Sequence, residues 1–558
     1  MTFRRITQTV TLGIFLFLLW AAASSAFLSV PLDLFLHFDP ALVLITAVSA
    51  RLITLTIIPV VLIILLTLLF GRFFCGYICP MGTTLDVSDR IFKSGKKKPF
   101  NLDSLRKTKY ILLILLLISA LFSISFVFIA TPLSLITRFY GLLVHSMIMF
   151  ISNKLLVLIR PLAEWLDINS IAFMQLETPR FSTLFFTLGF FVSLFALSRL
   201  SPRFWCRYVC PSGAILGLFS KRPLIRRQVT EECTSCGVCA RVCPMRAIDF
   251  DDFKHTSHSE CLVCQTCQEK CPEKAVSFTR PKRETGDEPP LFLPSRRQFI
   301  LSGAAGAGLA ITGLTGLNSL YGKPGPGQVA PKGLVRPPGS LPEMDFLSRC
   351  VRCGECMAAC PTNTLQPIWF EAGVIGLFSP ALTPRRGFCN PECHNCGLVC
   401  PTDAIPHLNK EERIWAKTGT AMINRQKCLA WEERKPCLVC DEVCPFKAVE
   451  FKRIEGNAVA VPEVNETKCA GCGYCEHYCP VQNQAAIIVT PNGALRLAKG
   501  SYEEQARLRG LELSIRPKGE YGYRVPSFLD STQTAPGFET DQDGNSSPVL
   551  APGFDEGD

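Results

Sequence analysis

Residues 233–244 read CTSCGVCARVCP and residues 261–272 read CLVCQTCQEKCP. Both follow Cys-x2-Cys-x2-Cys-x3-Cys-Pro, in which three thiols share a tight loop and the fourth lies just beyond it. That spacing holds a 4Fe-4S cubane, and in two-cluster modules the fourth cysteine of one run ligates the cluster of the other. The crossover assigns Cys233, Cys236, Cys239 and Cys271 to one cluster, and Cys261, Cys264, Cys267 and Cys243 to a second. Tetrahedral zinc also takes four soft thiolates, but a repeated three-plus-one spacing closed by proline argues for the cubane.

Working outward, the chain holds 28 cysteines in 558 residues, and six runs of four account for all but two pairs. Two later runs keep the same spacing: Cys350, Cys353, Cys356, Cys360 and Cys469, Cys472, Cys475, Cys479. Two are variants. Cys389, Cys393, Cys396, Cys400 has one extra residue in its first gap, and Cys428, Cys437, Cys440, Cys444 has a much longer one. A longer loop leaves the ligand count unchanged, so about six 4Fe-4S clusters are expected. No cysteine is left over for a structural disulfide. Cys393-His394 lacks the Cys-x-x-Cys-His spacing of covalent haem attachment.

Apolar residues make up 48% of the chain and concentrate in its first 200 positions. Val10–Leu28, Leu52–Phe70, Ile111–Ala130 and Phe181–Leu197 are apolar enough, and about long enough, to cross a hydrocarbon layer of about 30 Å. The basic residues lie beside them: Arg4 and Arg5; Arg90, Lys93, Lys96, Lys97, Lys98, Arg106, Lys107 and Lys109; and Arg199 through Arg227. All three groups are expected on the cytoplasmic face. The formal charge of +11 therefore reflects membrane topology, and no nucleic-acid partner is expected. Gly141–Ile159 is interrupted by Asn153 and Lys154 and reads as an interfacial or re-entrant helix.

Ser295-Arg296-Arg297-Gln-Phe-Ile-Leu and the Gly/Ala-rich stretch after it resemble a twin-arginine export signal, which moves folded, cofactor-loaded domains across a membrane. No Ala-x-Ala cleavage site follows, so an uncut anchor is expected. Gly303, Gly306 and Gly308 form no dinucleotide fingerprint, because no strand precedes them.

The remaining cysteines are Cys75 and Cys79-Pro after the second apolar segment, and Cys206 and Cys210-Pro after the fourth. Spacing of four puts both thiols of a pair on one helix face. A further metal site, a redox-active dithiol and plain apolar packing all remain open, although duplication favours a redox or quinol-proximal role. His37 and His145 read as helix-end or surface residues.

Residues 1 to about 280, with Cys75-Gly-Tyr-Ile-Cys79-Pro, Trp205-Cys206-Arg-Tyr-Val-Cys210-Pro and the first two runs, resemble the NapH-type membrane quinol-dehydrogenase components associated with periplasmic nitrate reductase. Residues from about 295, with the export-type signal, Cys350-Val-Arg-Cys353-Gly-Glu-Cys356 and Cys428-Leu-Ala-Trp431, resemble the NapG/MauM-type four-cluster ferredoxin. The chain thus looks like a fusion of two partners. The resemblance implies electron transfer from membrane quinol to an extracytoplasmic oxidoreductase. It also implies pairing of the first C-terminal run with the fourth, and of the second with the third. The acidic tail and the variant run at Cys389 depart from that pattern.

The expected architecture is an α-helical membrane bundle of about four spans plus a fifth signal-anchor span, carrying two α+β ferredoxin-like cluster-binding domains. Its parts are a membrane domain at 1–228, a cytoplasmic two-cluster domain at 229–280, and a linker with the twin-arginine-type span at 281–322. A Pro/Gly linker at 323–345, an extracytoplasmic four-cluster domain at 346–523 and a disordered acidic tail at 524–558 follow. The expected setting is a bacterial or archaeal cytoplasmic membrane, with the quinone pool and an extracytoplasmic oxidoreductase as partners. No nucleophile, flavin motif or molybdenum-type ligand set accompanies the cysteines, so substrate chemistry is expected on another subunit. The rival reading is a redox-sensing or maturation factor for a partner metalloenzyme.

Overall fold

The computed structural model describes residues 3–24, 33–92, 103–168, 178–280, 293–314, 333–371, 373–455 and 457–517, with short strands at 538–540 and 546–548. Residues 1–515 form one unit and 516–558 another. In the second, Phe538–Thr540 pairs antiparallel with Ser546–Pro548; the tail expected from 524 otherwise lies outside the described residues.

The N-terminal part is helical: α1 (Phe3–Ser24), α2 (Pro40–Ala50), α3 (Ile57–Phe70), α4 (Phe73–Tyr77), α5 (Pro80–Ile91) and α6 (Thr108–Leu121) come first. Then follow α7 (Pro132–Trp165), α8 (Leu184–Ala196), α9 (Phe204–Tyr208) and α10 (Pro211–Phe219). Two of these, Phe3–Ala22 within α1 and the 34-residue α7, are long and apolar enough to cross a membrane. The other expected spans contain shorter helices of 14 residues in α3, 14 in α6 and 13 in α8. Residues 141–159 belong to the continuous α7, which contains a π-helical segment at Phe139–Val144.

Helix α2 was not among the expected spans, yet it is buried along Ala41, Leu42, Val43 and Ile45. Its start is set by Asp39, whose side chain accepts from the N–H groups of Ala41 (3.1 Å) and Leu42 (3.2 Å), with Pro40 in the first turn. The same carboxylate accepts from Leu133 N–H at the start of α7 (3.3 Å) and from the Ser212 hydroxyl in α10. One buried acid thus ties three helix starts together.

The three basic stretches meet at one end. Arg4 and Arg203 both pair with Asp86 of α5, and Lys109 at the start of α6 pairs with Glu260. Glu260 lies in the first cysteine module, which is closed by β1 (Arg226–Val229) and β2 (Val276–Thr279) running antiparallel. Helix Arg296–Leu314, which begins with the exposed Arg296 and Arg297, packs along α6. A side chain at Gly306 would stand 2.8 Å from the Leu115 carbonyl, so glycine permits the close approach.

The second cysteine region carries three antiparallel pairs: β3 (Leu365–Pro367) with β4 (Pro380–Leu382), β5 (Thr420–Ile423) with β8 (Ile487–Thr490), and β6 (Val449–Lys452) with β7 (Val461–Val464). Gly471 has φ +75, and an added side chain would meet Gly419 backbone at 2.6 Å. This region seats on the opposite end of the helices. Arg352 donates to the Ser125 carbonyl just beyond α6, Ser134 to the Val351 carbonyl at 2.7 Å, and His37 Nε2 lies 2.9 Å from the Pro401 carbonyl.

Arg336 and Arg496 close the start of this region onto its end by sharing Glu343, at 2.6 and 2.8 Å. Burial raises the Glu343 carboxyl, but the two guanidinium groups outweigh it and hold the group below the ordinary glutamate range. A lowered acid contributes stability above its unfolded value of about 4.3 and loses it as pH falls through the native value. Glu343→Gln is therefore expected to cost about 1 kcal/mol at pH 7, after screening of a partly exposed pair. The difference from wild type should vanish well below pH 4 or so, as read from urea unfolding midpoints.

Candidate metal centres

The first module gathers its cysteines in two groups around two cavities. Cys233, Cys236, Cys239 and Cys271 line one, and Cys243, Cys261, Cys264 and Cys267 the other. These are the groupings that crossover predicts. Ser235 (φ 54), Gly237 (φ 70), Val263 (φ 52) and Gln265 (φ 59) turn the loops through the left-handed region, which aims successive thiols inward.

In the second region the pairing differs from the one implied by resemblance. Cys350, Cys353 and Cys356 share a cavity with Cys400, the last cysteine of the second run. Cys428, Cys437 and Cys440 share theirs with Cys479, and Cys469, Cys472 and Cys475 with Cys444. The thiols of Cys389, Cys393 and Cys396 act electrostatically on one another and on Cys360. The first run is therefore paired with the second, and the third with the fourth. The physical reason is strand closure: β5 precedes the third run and β8 follows the fourth, and their pairing folds those two runs onto each other. In the first module β1 and β2 bracket two runs in the same way.

Among the described residues, no three Cys, His, Asp or Glu side chains converge closely enough to hold a single metal ion. Zinc needs its sulfurs about 2.3 Å from one centre. Thiols spread around a cavity suit a larger group with iron at its corners. The five cavities have similar empty volumes, from about 340 to about 400 Å³. Burial, with neighbouring thiols, pushes the Cys353 and Cys472 thiols well up and that of Cys400 to about 11. Thiols raised in this way stay protonated until positive charge enters, which bound iron supplies.

Backbone N–H groups point at the sulfurs. Ala247 donates to Cys243 (3.3 Å), Ala448 to Cys444 (3.4 Å), Ile405 to Cys400 (3.5 Å) and Ala486 to Cys479 (3.4 Å). Each acceptor is the Cys-Pro cysteine of its run. At Cys389 a side chain takes part, with the Arg413 guanidinium 3.0 Å from the sulfur. His394 bonds to the Pro406 carbonyl at 2.9 Å, a structural role.

Cys75, Cys79, Cys206 and Cys210 also come together, since Cys210 feels Cys206 and Cys75, and Cys79 feels Cys75 and Cys206. Of the residues that assemble this region, sequence reasoning passed over Arg72, Glu260 and Asp39, and placed Arg203 and Lys109 only among the basic residues beside the apolar segments. Arg72 and Arg203 were marked by a signal, an arginine three residues before the first cysteine of each pair. Glu260 and Lys109 carried none.

Six four-thiol groups, several of them with N–H donors on a sulfur, define an iron-sulfur electron-transfer protein of the ferredoxin type. Two family models, each described as a 4Fe-4S binding domain, match residues 52–99 and 183–229 in one case and 228–249 and 346–366 in the other. The methylamine utilization ferredoxin-type protein MauM of Methylorubrum extorquens is 37% identical over 212 residues, 36% of this chain and 90% of that relative. The ferredoxin-type protein NapG of Escherichia coli is 35% identical over 188 residues, covering 32% and 78%. NapF of Haemophilus influenzae is 33% identical over 148 residues, covering 26% and 75%. No solved structure matches. The chain belongs to the MauM/NapG ferredoxin-type family of 4Fe-4S proteins.

Proposed function

We propose that this chain is a membrane-bound conduit fusing a NapH-type membrane part to the NapG/MauM-type ferredoxin, and that it relays electrons between the quinone pool and an extracytoplasmic oxidoreductase. The observation that carries the reading is the placement of two cysteine modules at opposite ends of one helical layer. Lys109 at the start of α6 pairs with the first module, and Ser125 just past its end accepts from Arg352 of the second. The 14 residues of α6 span about 21 Å at 1.5 Å per residue.

Outward faces support a lipid setting. Ile58, Val61, Leu62 and Leu65 of α3, Phe150, Ile151, Leu155 and Leu158 of α7, and Phe185 of α8 are exposed and apolar. The basic stretches cluster at the first module's end, which this reading places in the cytoplasm. The second module then lies outside, delivered by the twin-arginine-type segment at Arg296 and Arg297.

When bound, 4Fe-4S groups accept and release single electrons. The chain's own residues fix them and set their potentials: thiolates hold the corners, N–H donors favour the more reduced state, and packed apolar side chains exclude water.

The test is stopped-flow mixing of a water-soluble quinol with the anaerobically reconstituted full chain in liposomes. Bleaching of the cluster absorbance within seconds is expected. Clusters that dithionite reduces but quinol leaves oxidised would overturn the reading.

A further inference from the structure

One motif occurs twice, as Arg72-Phe-Phe-Cys75-Gly-Tyr-Ile-Cys79-Pro-Met-Gly82 and Arg203-Phe-Trp-Cys206-Arg-Tyr-Val-Cys210-Pro-Ser-Gly213. Both copies fold alike. A one-turn helix ends at the tyrosine, and the second cysteine then becomes the N-cap of a helix that starts at proline. Cys79 has φ −62 and ψ 116, and Cys210 φ −63 and ψ 111. Cys79 N–H and Cys210 N–H each donate 3.0 Å to a carbonyl in the preceding turn, Phe74 and Trp205. Gly213 N–H donates to the Cys210 sulfur at 3.2 Å.

The copies exchange arginines. Arg203 donates to the Cys75 carbonyl (3.1 Å) and the Gly82 carbonyl (3.3 Å) of the other copy. Arg72 reaches the reverse way. Its terminal nitrogen would lie 2.7 Å from a side chain on Gly213, where the Cys210 sulfur also approaches. Arg72 is fully buried; one terminal nitrogen bonds Ser259 and Glu260, while Nε and the other terminal nitrogen have no partner. A buried guanidinium left with two unanswered N–H groups beside four thiols calls for negative charge there. Two disulfides would be neutral and leave it unanswered.

We propose that Cys75, Cys79, Cys206 and Cys210 jointly hold one anionic iron-sulfur group, a seventh centre shared between the two motif copies, with Arg72 as its counter-charge and Arg203 holding the loop of the other copy in place. Each copy alone has half the ligands. Like the six groups above, these thiols do not converge on a single ion.

Its position gives the centre a place in the conduit, a point that rests on the function proposed above. On one side, Tyr77 donates to the Val263 carbonyl (3.0 Å), and a side chain on Gly76 would stand 2.8 Å from the Leu262 carbonyl, within the run of Cys261 and Cys264. On the other, Ser212, two residues past Cys210, bonds Asp39; Asp39 accepts from Leu133 N–H; and neighbouring Ser134 bonds the carbonyl of Val351, next to Cys350. The four thiols therefore lie between the two modules.

The test is iron and sulfide analysis of the anaerobically purified, reconstituted full chain in detergent, beside a Cys79→Ser, Cys210→Ser double variant. About 28 irons in wild type and about 24 in the variant are expected. About 24 in both would overturn the proposal. Should the variant lose more iron through misfolding, alkylation of wild type without denaturant decides. Protection of all four thiols until iron is chelated supports the centre; immediate labelling, or disulfides found by mass spectrometry, overturns it. None of these readouts depends on quinol, so the conduit reading and the seventh centre can fail separately.

Discussion

Glu260→Ala is expected to destabilise the junction between the first cysteine module and the helices by about 3–5 kcal/mol, the cost of removing one partner from a buried charge network. Glu260 is completely buried and meets two cations that are equally buried: Arg72 at 3.1 Å and Lys109. Burial alone raises its carboxyl, but Lys109 and Arg72 outweigh that and keep the group ionised. Without the carboxylate, two cations remain in a site that water does not reach. The unfolding midpoint in detergent should fall, and the first module should lose iron before the second. Glu260→Gln keeps the shape but not the charge, so it should be nearly as damaging. A change under about 1 kcal/mol in both variants would show that Arg72 and Lys109 are compensated elsewhere.

The second large effect concerns pairing. Cys400→Ser is expected to open the centre of Cys350, Cys353 and Cys356, while Cys389, Cys393 and Cys396, in its own run, stay protected. The cavity shared by Cys400 with the first run is the basis. Loss of one corner ligand should release about four irons, or leave a labile three-iron species visible by electron paramagnetic resonance. Alkylation without denaturant followed by peptide mass spectrometry identifies the exposed thiols. Labelling of Cys428, Cys437 and Cys440 instead would restore the pairing of the second run with the third.

Much of the candidate site was legible in one dimension because a cubane ligated by a short loop demands fixed spacing. Cys233 to Cys239 and Cys261 to Cys267 announce their chemistry without any fold. The variant gaps at Cys389 and Cys428 were readable too, since loop length alters no ligand. The fourth cysteine is different. Cys243, Cys360, Cys400, Cys444 and Cys479 each serve a centre outside their own run, and which one depends on the strands that close around them. In the first module only two runs exist, so crossover had one answer. In the second, four runs allowed several, and the β5 with β8 pairing selected among them. Helix α2 escaped notice for a related reason: its 11 residues are too few for a span, and its signal was the cap Asp39-Pro40.

The sequence by itself determined which cysteines cluster as ligands, how the two runs of the first module cross, the positions of the basic residues and the membership in a ferredoxin-type family, because each depends on residue type and local spacing. Only the tertiary structure decided how the second region's runs pair, that Arg72 and Arg203 cross between motif copies, and that Asp39 and Glu260 bind the helices and modules together. The contacts that Asp39 and Glu260 make across the helices and modules join residues 94 to 188 positions apart, and at such separations chain spacing carries no information about which side chains meet.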